Sequence, residues 1–593
     1  MNFQFSSDGE FGFRTDGPWP SRRRADSLVD RKHTVVKSAL LPMIALLAAH
    51  GVALAKPARG THAMVVTDQR YASQVGIHIL RSGGNAVDAA VAVGYALAVV
   101  DPCCGNIGGG GFMLIRMVNG KETFVNFRER APLRATANMF LGEHGNVVAG
   151  RSTKTYLGVG VPGTVAGLEY ARVRFGTRSR REVMEPAVAL AQKGYVLTKA
   201  DVEMFDGRPQ DFKREPNVSA IFTRHGLGRL PGERLIQPQL AKTLRAIERG
   251  GARAFYEGSI AQRIVAASAM HGGILTMRDF SGYRPAEYAP VRCTYRGYEI
   301  ASAPPPSSGG TTMCEILNVV QPFPLERYGW NSANSVHDVV EAERHAYVDR
   351  NTYLDDPLFV TNPVDRLLSA EHAAAIRGAI LPDRSTPSKE FSASTVSREE
   401  TDTTHYSIVD RSGNAVAVTY TINDDFGTGL IAGDTGFFLN NEMDDFTSKP
   451  GVANLYGLVQ GNANAIAPGK TPLSSMAPTI VTKNGKLSIV AGSPGGSRII
   501  TITLGVLQNI IDYGMDVQQA VDAPRVHHQW LPDTVYLERG ALQSPAQRRL
   551  KLMGYQFTQQ DRWGCAEAIQ RDDAGTLFGG SDRRRATGAA LGY

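Results

Sequence analysis

Cysteine is scarce: five residues in a chain of 593. Cys103 and Cys104 are adjacent, a poor geometry for bridging each other, and Cys293, Cys314 and Cys565 are scattered. The set therefore reads as buried small apolar residues rather than a disulfide framework, with at least one thiol left over in an odd count. Metal-type His/Glu or Cys/Cys spacing is missing, as are a Gly-x-Ser-x-Gly elbow and any internal repeat, so neither a metal nor a cofactor is expected. A dense basic block is missing too. The net charge of +7 is spread thinly, and Arg22-Arg23-Arg24 lies in a segment expected to be removed, which argues against nucleic acid as a partner. Two common motifs fail on inspection. Gly158-Val159-Gly160-Val161-Pro162-Gly163 has the dinucleotide spacing but a weak preceding strand and no placed acidic residue. Gly469-Lys470-Thr471 resembles the end of a phosphate loop, but the earlier glycine it needs is Asn464.

Long apolar runs are also rare. One spans Ala39 to Ala55, behind Arg31, Lys32 and Lys37, and ends in Ala53-Leu54-Ala55. A positive start, an apolar middle and a small-x-small end predict a secretory signal cut after Ala55. Pro42, His50 and Gly51 interrupt the run, so no stable membrane anchor is expected. Residues 1–55 then form an extension plus signal, and the mature chain is periplasmic or secreted. What is present fits a globular protein: 42% hydrophobic, 20% charged, and 62 glycines for turns and close backbone approaches.

Periodicity predicts helices within residues 65–100, broken at Gly83-Gly84-Asn85, then strands at 112–116 and 123–128. Residues 160–390 read as helix-rich, and 382–402 as a polar exposed linker. Beyond 403 the texture changes to strands at 405–410, 415–422, 434–441, 477–482 and 487–492, before a helix at about 498–512. Strands flanked by helices in both halves predict an α/β layered core of stacked sheets.

At the junction stands Asp402-Thr403-Thr404-His405. A threonine hydroxyl is a poor nucleophile unless a base activates it, and an N-terminal threonine has its own α-amine, with a pKa near 8, for that purpose. The pattern of flexible segment, threonine and strand therefore predicts a cut between Asp402 and Thr403, made by the same hydroxyl attacking the Asp402 carbonyl. If Arg411-Ser412-Gly413 is a three-residue loop with Gly413 left-handed, residue 403 falls opposite 421 and Thr421 faces Thr403 about 5 Å away. Gly495-Gly496, ahead of Ile499-Ile500, offers two N–H groups for an oxyanion.

Together Thr403-Thr404-His405-Tyr406-Ser407, Asn440-Asn441-Glu442-Met443-Asp444-Asp445-Phe446, Pro472-Leu473-Ser474-Ser475-Met476 and Gly492-Ser493-Pro494-Gly495-Gly496-Ser497-Arg498 resemble γ-glutamyltranspeptidase. Gly105 to Phe112, Phe127-Arg128-Glu129, Val161-Pro162-Gly163 and Pro304 to Gly310 extend the resemblance over about 64–593. It implies an N-terminal-nucleophile hydrolase, an αββα sandwich of two mainly antiparallel sheets with helices outside. It also implies subunits 56–402 and 403–593 that stay together as a heterodimer. Thr403 would attack glutathione or other γ-glutamyl compounds, oriented by Thr421, with Gly495 and Gly496 holding the oxyanion. At the site this implies, Arg128 suits the donor's α-carboxylate, helped by the Ser474 and Ser475 hydroxyls, and Asn423, Glu442 and Asp445 suit its α-ammonium, so one cation and two anions match a zwitterionic substrate. Water, amino acids or dipeptides would accept the acyl group. The segment from Lys449 to Gly457, with Tyr456, resembles the lid of bacterial members. Glu442 stands where those members often have glutamine, and Asp424-Asp425 replace more usual neutral residues. Competing readings are a cephalosporin or glutaryl acylase of the same superfamily, whose substrates lack the ammonium, and a secreted binding protein that is never cut.

Overall fold

The computed structural model describes residues 56–391 and 403–593. The expected signal with its cut after Ala55, and Asp402 with most of the linker, lie outside the described residues.

A tight turn organises the centre of the fold. Gly413 has φ of 88°, a left-handed value that glycine adopts without strain. Asp410 N–H donates to the Asn414 carbonyl at 3.0 Å, and Asp410 Oδ1 accepts from the Ser412 and Asn414 amides. This is the loop expected from the sequence, and it fixes the register Thr404↔Tyr420 through Val409↔Ala415.

Fourteen strands make two seven-stranded sheets. They are β1 (Ala58–Gly60), β2 (Met64–Thr67), β3 (Gly110–Arg116), β4 (Glu122–Asn126), β5 (Ala286–Tyr288), β6 (Val291–Tyr295), β7 (Tyr298–Ser302), β8 (Thr404–Val409), β9 (Ala415–Thr421), β10 (Thr479–Lys483), β11 (Lys486–Gly492), β12 (Glu567–Arg571), β13 (Leu577–Ser581) and β14 (Ala589–Gly592). The first sheet runs β14-β2-β8-β9-β3-β4-β5 and the second β1-β13-β12-β11-β10-β7-β6. Every pair in both is antiparallel. The turn-linked pair β8-β9 sits inside the first sheet, and β9 pairs onward with β3.

Period-two alternation sorts each strand between two cores. Met64, Val66, Phe112, Leu114, Ala415 and Ala417 meet Ile480, Val490, Ile569 and Leu577 between the sheets. Their alternates Val65, Met113, Val416, Val418 and Tyr420 pack outward against helices α1 (Arg70–Arg81) and α2 (Ala86–Val100). Every residue of α2 is buried, which is why it is rich in Ala and Val. Asn85 and Asp88 cap it reciprocally, and its Ala86 amide donates to Asp410 Oδ2 at 2.9 Å. Tyr406 and Tyr420 hydroxyls donate to the Ala90 and Gly94 carbonyls of the same helix. On the far side of the second sheet, Ile300, Val481 and Ile489 pack with α3 (Gly309–Val320), α4 (Ala333–Tyr353) and α5 (Ile499–Ile511). The order of layers is therefore α, β, β, α. No helix of the described residues is long and apolar enough to cross a membrane.

Three expectations are corrected. Residues 65–69 are not helical: Met64–Thr67 is a strand, because its alternate residues serve the two cores. Residues 434–441 form a loop with one bridge, Ile431↔Phe438; positive φ at Gly433 and Gly436 breaks the run, and its apolar residues fill a core from outside any sheet. Two cysteine pairs are bridged, Cys103–Cys104 and Cys293–Cys314, and Cys565 alone is a free, buried thiol. For Cys293–Cys314 the cause is tertiary: β6 packs on α3, bringing the two Cα atoms to 5.7 Å. Cys103 and Cys104 bridge across a turn ahead of the glycine strap.

His405 lies between the sheets, with Nδ1 at 2.8 Å from Thr419 Oγ1 and Nε2 at 3.1 Å from Ser407 Oγ. Gly492 of the opposite sheet makes room, since a Cβ there would stand 2.3 Å from the ring. Burial holds the imidazole neutral, pushing its pKa from 6.5 down to about 3. Between those values the unfolded chain binds the extra proton, so this stabilisation is full above pH 6.5 and lost as pH falls toward 3. Against His405→Gln in urea unfolding, the wild-type advantage should shrink across that window. A difference that does not change with pH would count against a buried neutral ring.

Candidate active site

Thr403 immediately precedes β8 and Thr421 ends β9, so the register sets them side by side. Their hydroxyl oxygens are 3.4 Å apart, both residues at most 3% exposed. Thr421 Oγ1 also accepts from the Asn423 amide at 2.8 Å. Asn423 has φ of 78°, a left-handed conformation that asparagine tolerates better than most residues. Its reversal lets Nδ2 donate to the Asn441 carbonyl at 3.0 Å. Next to it, Asn440 donates to the Gly108 and Gly160 carbonyls and accepts from the Gly160 amide. The stretch that has dinucleotide spacing is thus clamped as packing against the strap that leads into β3.

This bracing delivers a helical turn, Glu442–Asp445, to the Arg128 side chain. Arg128 follows β4, its amide held by Asn126 Oδ1 at 2.9 Å. Its guanidinium is 1% exposed, with Nη1 on Glu442 Oε1 and Nη2 on Asp445 Oδ2. Burial is the largest influence on both carboxyls and pushes them upward, while Arg128 pulls the other way. Glu129, 3.9 Å from the same guanidinium, is pushed up to about 7 by burial. Arg128 itself stays charged, held above its ordinary value by Glu442 and Asp445 against its own desolvation.

Ser474 and Ser475 line the same cavity from the strap after Pro472. Gly496 lines it as well, one residue after Gly495, with φ of 53° and 142° respectively. Among the described residues neither N–H has an acceptor. Tyr456 covers this corner: its hydroxyl donates to the Asn423 carbonyl at 2.6 Å, and a Cβ on Gly496 would stand 2.3 Å from its ring. The cavity bounded by these residues has a volume of about 20 Å³, room for about one water. A substrate larger than water enters only if this lining rearranges.

One polar residue in the lining, Arg350 of α4, carries no mark of any motif in the sequence. Its only signal is a charge on the buried stripe Val336, Val340, Glu343, Tyr347, Arg350. Asp424 and Asp425 are outside the lining: Asp424 pairs with Arg208, and Asp425 Oδ1 is 3.5 Å from Cys104 Sγ. Two described groups have geometry that could hold an ion, Asp68 with Cys565 and Glu567, and Glu315 with Asp349 and His372, while in a third, Asp101 with Cys103 and Cys104, the sulfurs are joined in a disulfide. None of their residues lines the cavity.

Residues 72–592 match the family model described as gamma-glutamyltranspeptidase. The glutathione hydrolase proenzyme of Pseudomonas sp. (strain A14) is 53% identical over 91% of this chain and 95% of its own length. That of Escherichia coli (strain K12) is 45% identical over 91% and 93%. Among solved structures, cephalosporin acylase from Bacillus halodurans superposes with a TM-score of 0.80 at 27% identity, covering 91% of this chain and 97% of that one.

Proposed function

The chain belongs to the γ-glutamyltranspeptidase family of enzymes, and from that premise we propose a self-processing, periplasmic enzyme that cleaves the γ-glutamyl amide of glutathione and related compounds. The observation that carries the proposal is one cavity holding the paired hydroxyls of Thr403 and Thr421 together with Arg128, Glu442 and Asp445.

In the proposed sequence, Thr403 Oγ first attacks the Asp402 carbonyl, and water opens the resulting ester. Residues 403–593 then begin with a free amine and stay associated with 56–402. That amine takes the Thr403 hydroxyl proton as Oγ attacks the γ-carbonyl of the donor. Thr421 keeps the attacking oxygen aligned, and the amides of Gly495 and Gly496 stabilise the oxyanion. The amine leaving group departs with the proton, and the γ-glutamyl ester passes to water or to the amine of an amino acid or dipeptide. Arg128, with Ser474 and Ser475, takes the donor's α-carboxylate, while Asn423, Glu442 and Asp445 take its α-ammonium. Tyr456 acts as the lid. Export rests on the signal-like run ending at Ala55.

Fold likeness alone does not separate this reading from an acylase, since an acylase superposes well. The charges do. A glutaryl group lacks the ammonium proposed to meet Glu442 and Asp445, and so forgoes a charge-assisted contact in a buried site. Initial rates on γ-glutamyl and glutaryl anilides test the point. A γ-glutamyl preference of about 100-fold or more is expected, the size of one lost charge-assisted contact to a buried group. Faster turnover of the glutaryl compound would replace the proposal with acylase activity.

A further inference from the structure

Three of the largest fully buried side chains are arginines. Arg128 faces Glu442 and Asp445, and Arg344 faces Glu341 and Asp533. Arg350 differs. Its Nε donates to Ser308 Oγ and its Nη2 to Ser475 Oγ, both at 2.9 Å, and its Nη1 meets Asn351 Oδ1 at 2.7 Å and Gln460 Oε1 at 3.5 Å. All four acceptors are neutral, and among the described residues Arg350 makes no ion pair. Asp445 acts on it at longer range but pairs directly with Arg128, and a buried cation with no direct counter-ion is costly. The cost is visible in the guanidinium itself, which desolvation pulls down to about 10.

The contacts also have a direction. Ser475 Oγ accepts from Arg350, so its own proton is free to point into the cavity, as a stronger donor for being polarised. Ser308 Oγ accepts from Arg350 and donates to the Ser474 carbonyl at 2.7 Å, and the Ser308 amide reaches the same oxygen at 2.8 Å. One guanidinium therefore fixes both serines. Meanwhile the charge on Arg128 is already answered within the protein.

We infer that Arg350 is a specificity-determining positioning residue, acting through Ser475 to supply a positive charge, not directly paired within the protein, that retains the α-carboxylate of the donor. This rests on the γ-glutamyl reading above. A donor carboxylate seated at Ser475 completes the charge balance that the protein leaves open at Arg350. A donor with only the ammonium does not.

The test compares γ-glutamyl and γ-aminobutyryl anilides, which share the acyl chain and ammonium and differ in the α-carboxylate. Arg350→Gln should raise KM for the γ-glutamyl donor about 10- to 100-fold, the effect of losing a hydrogen bond from a charged group. kcat should move only a few-fold, and kcat/KM for the γ-aminobutyryl donor should stay within about threefold, so discrimination collapses. Arg350→Lys should recover part of it, because charge is kept but the fork is lost. A parallel loss on both donors, or no change on either, overturns the inference. Should Arg350→Gln fail to fold, Arg350→Lys carries the same comparison, with an intermediate ratio in support and an unchanged ratio against. A wild-type enzyme inactive on the γ-glutamyl donor would instead refute the proposed function, whatever Arg350 does.

Discussion

Thr403→Ala should leave one uncut chain on a denaturing gel and lower anilide release about 10⁴-fold or more, the scale of removing a catalytic nucleophile. Both losses follow from one atom. Thr403 Oγ is the group proposed to open the Asp402 bond, and the same oxygen is the later acceptor of the acyl group. Folding should survive, because Thr403 stands ahead of β8 and belongs to neither sheet's core. Its substitution is of the kind that costs about 1 kcal/mol. Thr403→Ser restores the hydroxyl and should be cut slowly and turn over the donor. A cut and active Thr403→Ala protein would remove Thr403 from both roles.

Arg128→Gln should reduce kcat/KM on the γ-glutamyl anilide by at least about 100-fold and also destabilise the fold, by about 3–5 kcal/mol for a broken buried ion pair. The two effects share a cause. Glu442, Asp445 and Glu129 all lie against this guanidinium, and without it they face one another in a site nearly closed to water. Arg128→Lys should recover little, because one ammonium does not reproduce the fork that meets Glu442 and Asp445 on separate nitrogens. Kinetics with urea unfolding of the same samples checks both halves. Activity within threefold of wild type, in either variant, would show that the donor does not meet Arg128.

Much of the frame was legible because local chemistry determined it. Gly413 and Asn414 fix the turn, the turn fixes the register, and the register brings Thr421 to Thr403; each step is a short-range rule. Helix α2 was equally plain, its Ala/Val composition reflecting burial on all sides. The misses needed tertiary knowledge. Residues 434–441 carry apolar residues for a core they reach as a loop, so composition imitated a strand. Cys293 and Cys314 meet because a strand packs on a helix, a contact that spacing alone does not encode. Arg350 was hidden differently. A charge on a buried helical stripe was there to be seen, but the serines it serves lie 42 and 125 residues away in the chain.

The central claim is that one threonine cuts the chain and then carries the acyl group. Peptide mass mapping of wild-type protein, quenched in acid during turnover of a γ-glutamyl anilide, tests it directly. A peptide beginning at Thr403 and bearing a γ-glutamyl ester is the predicted result. An uncut Asp402-Thr403 bond in active protein, or the acyl group on any other residue, would contradict it.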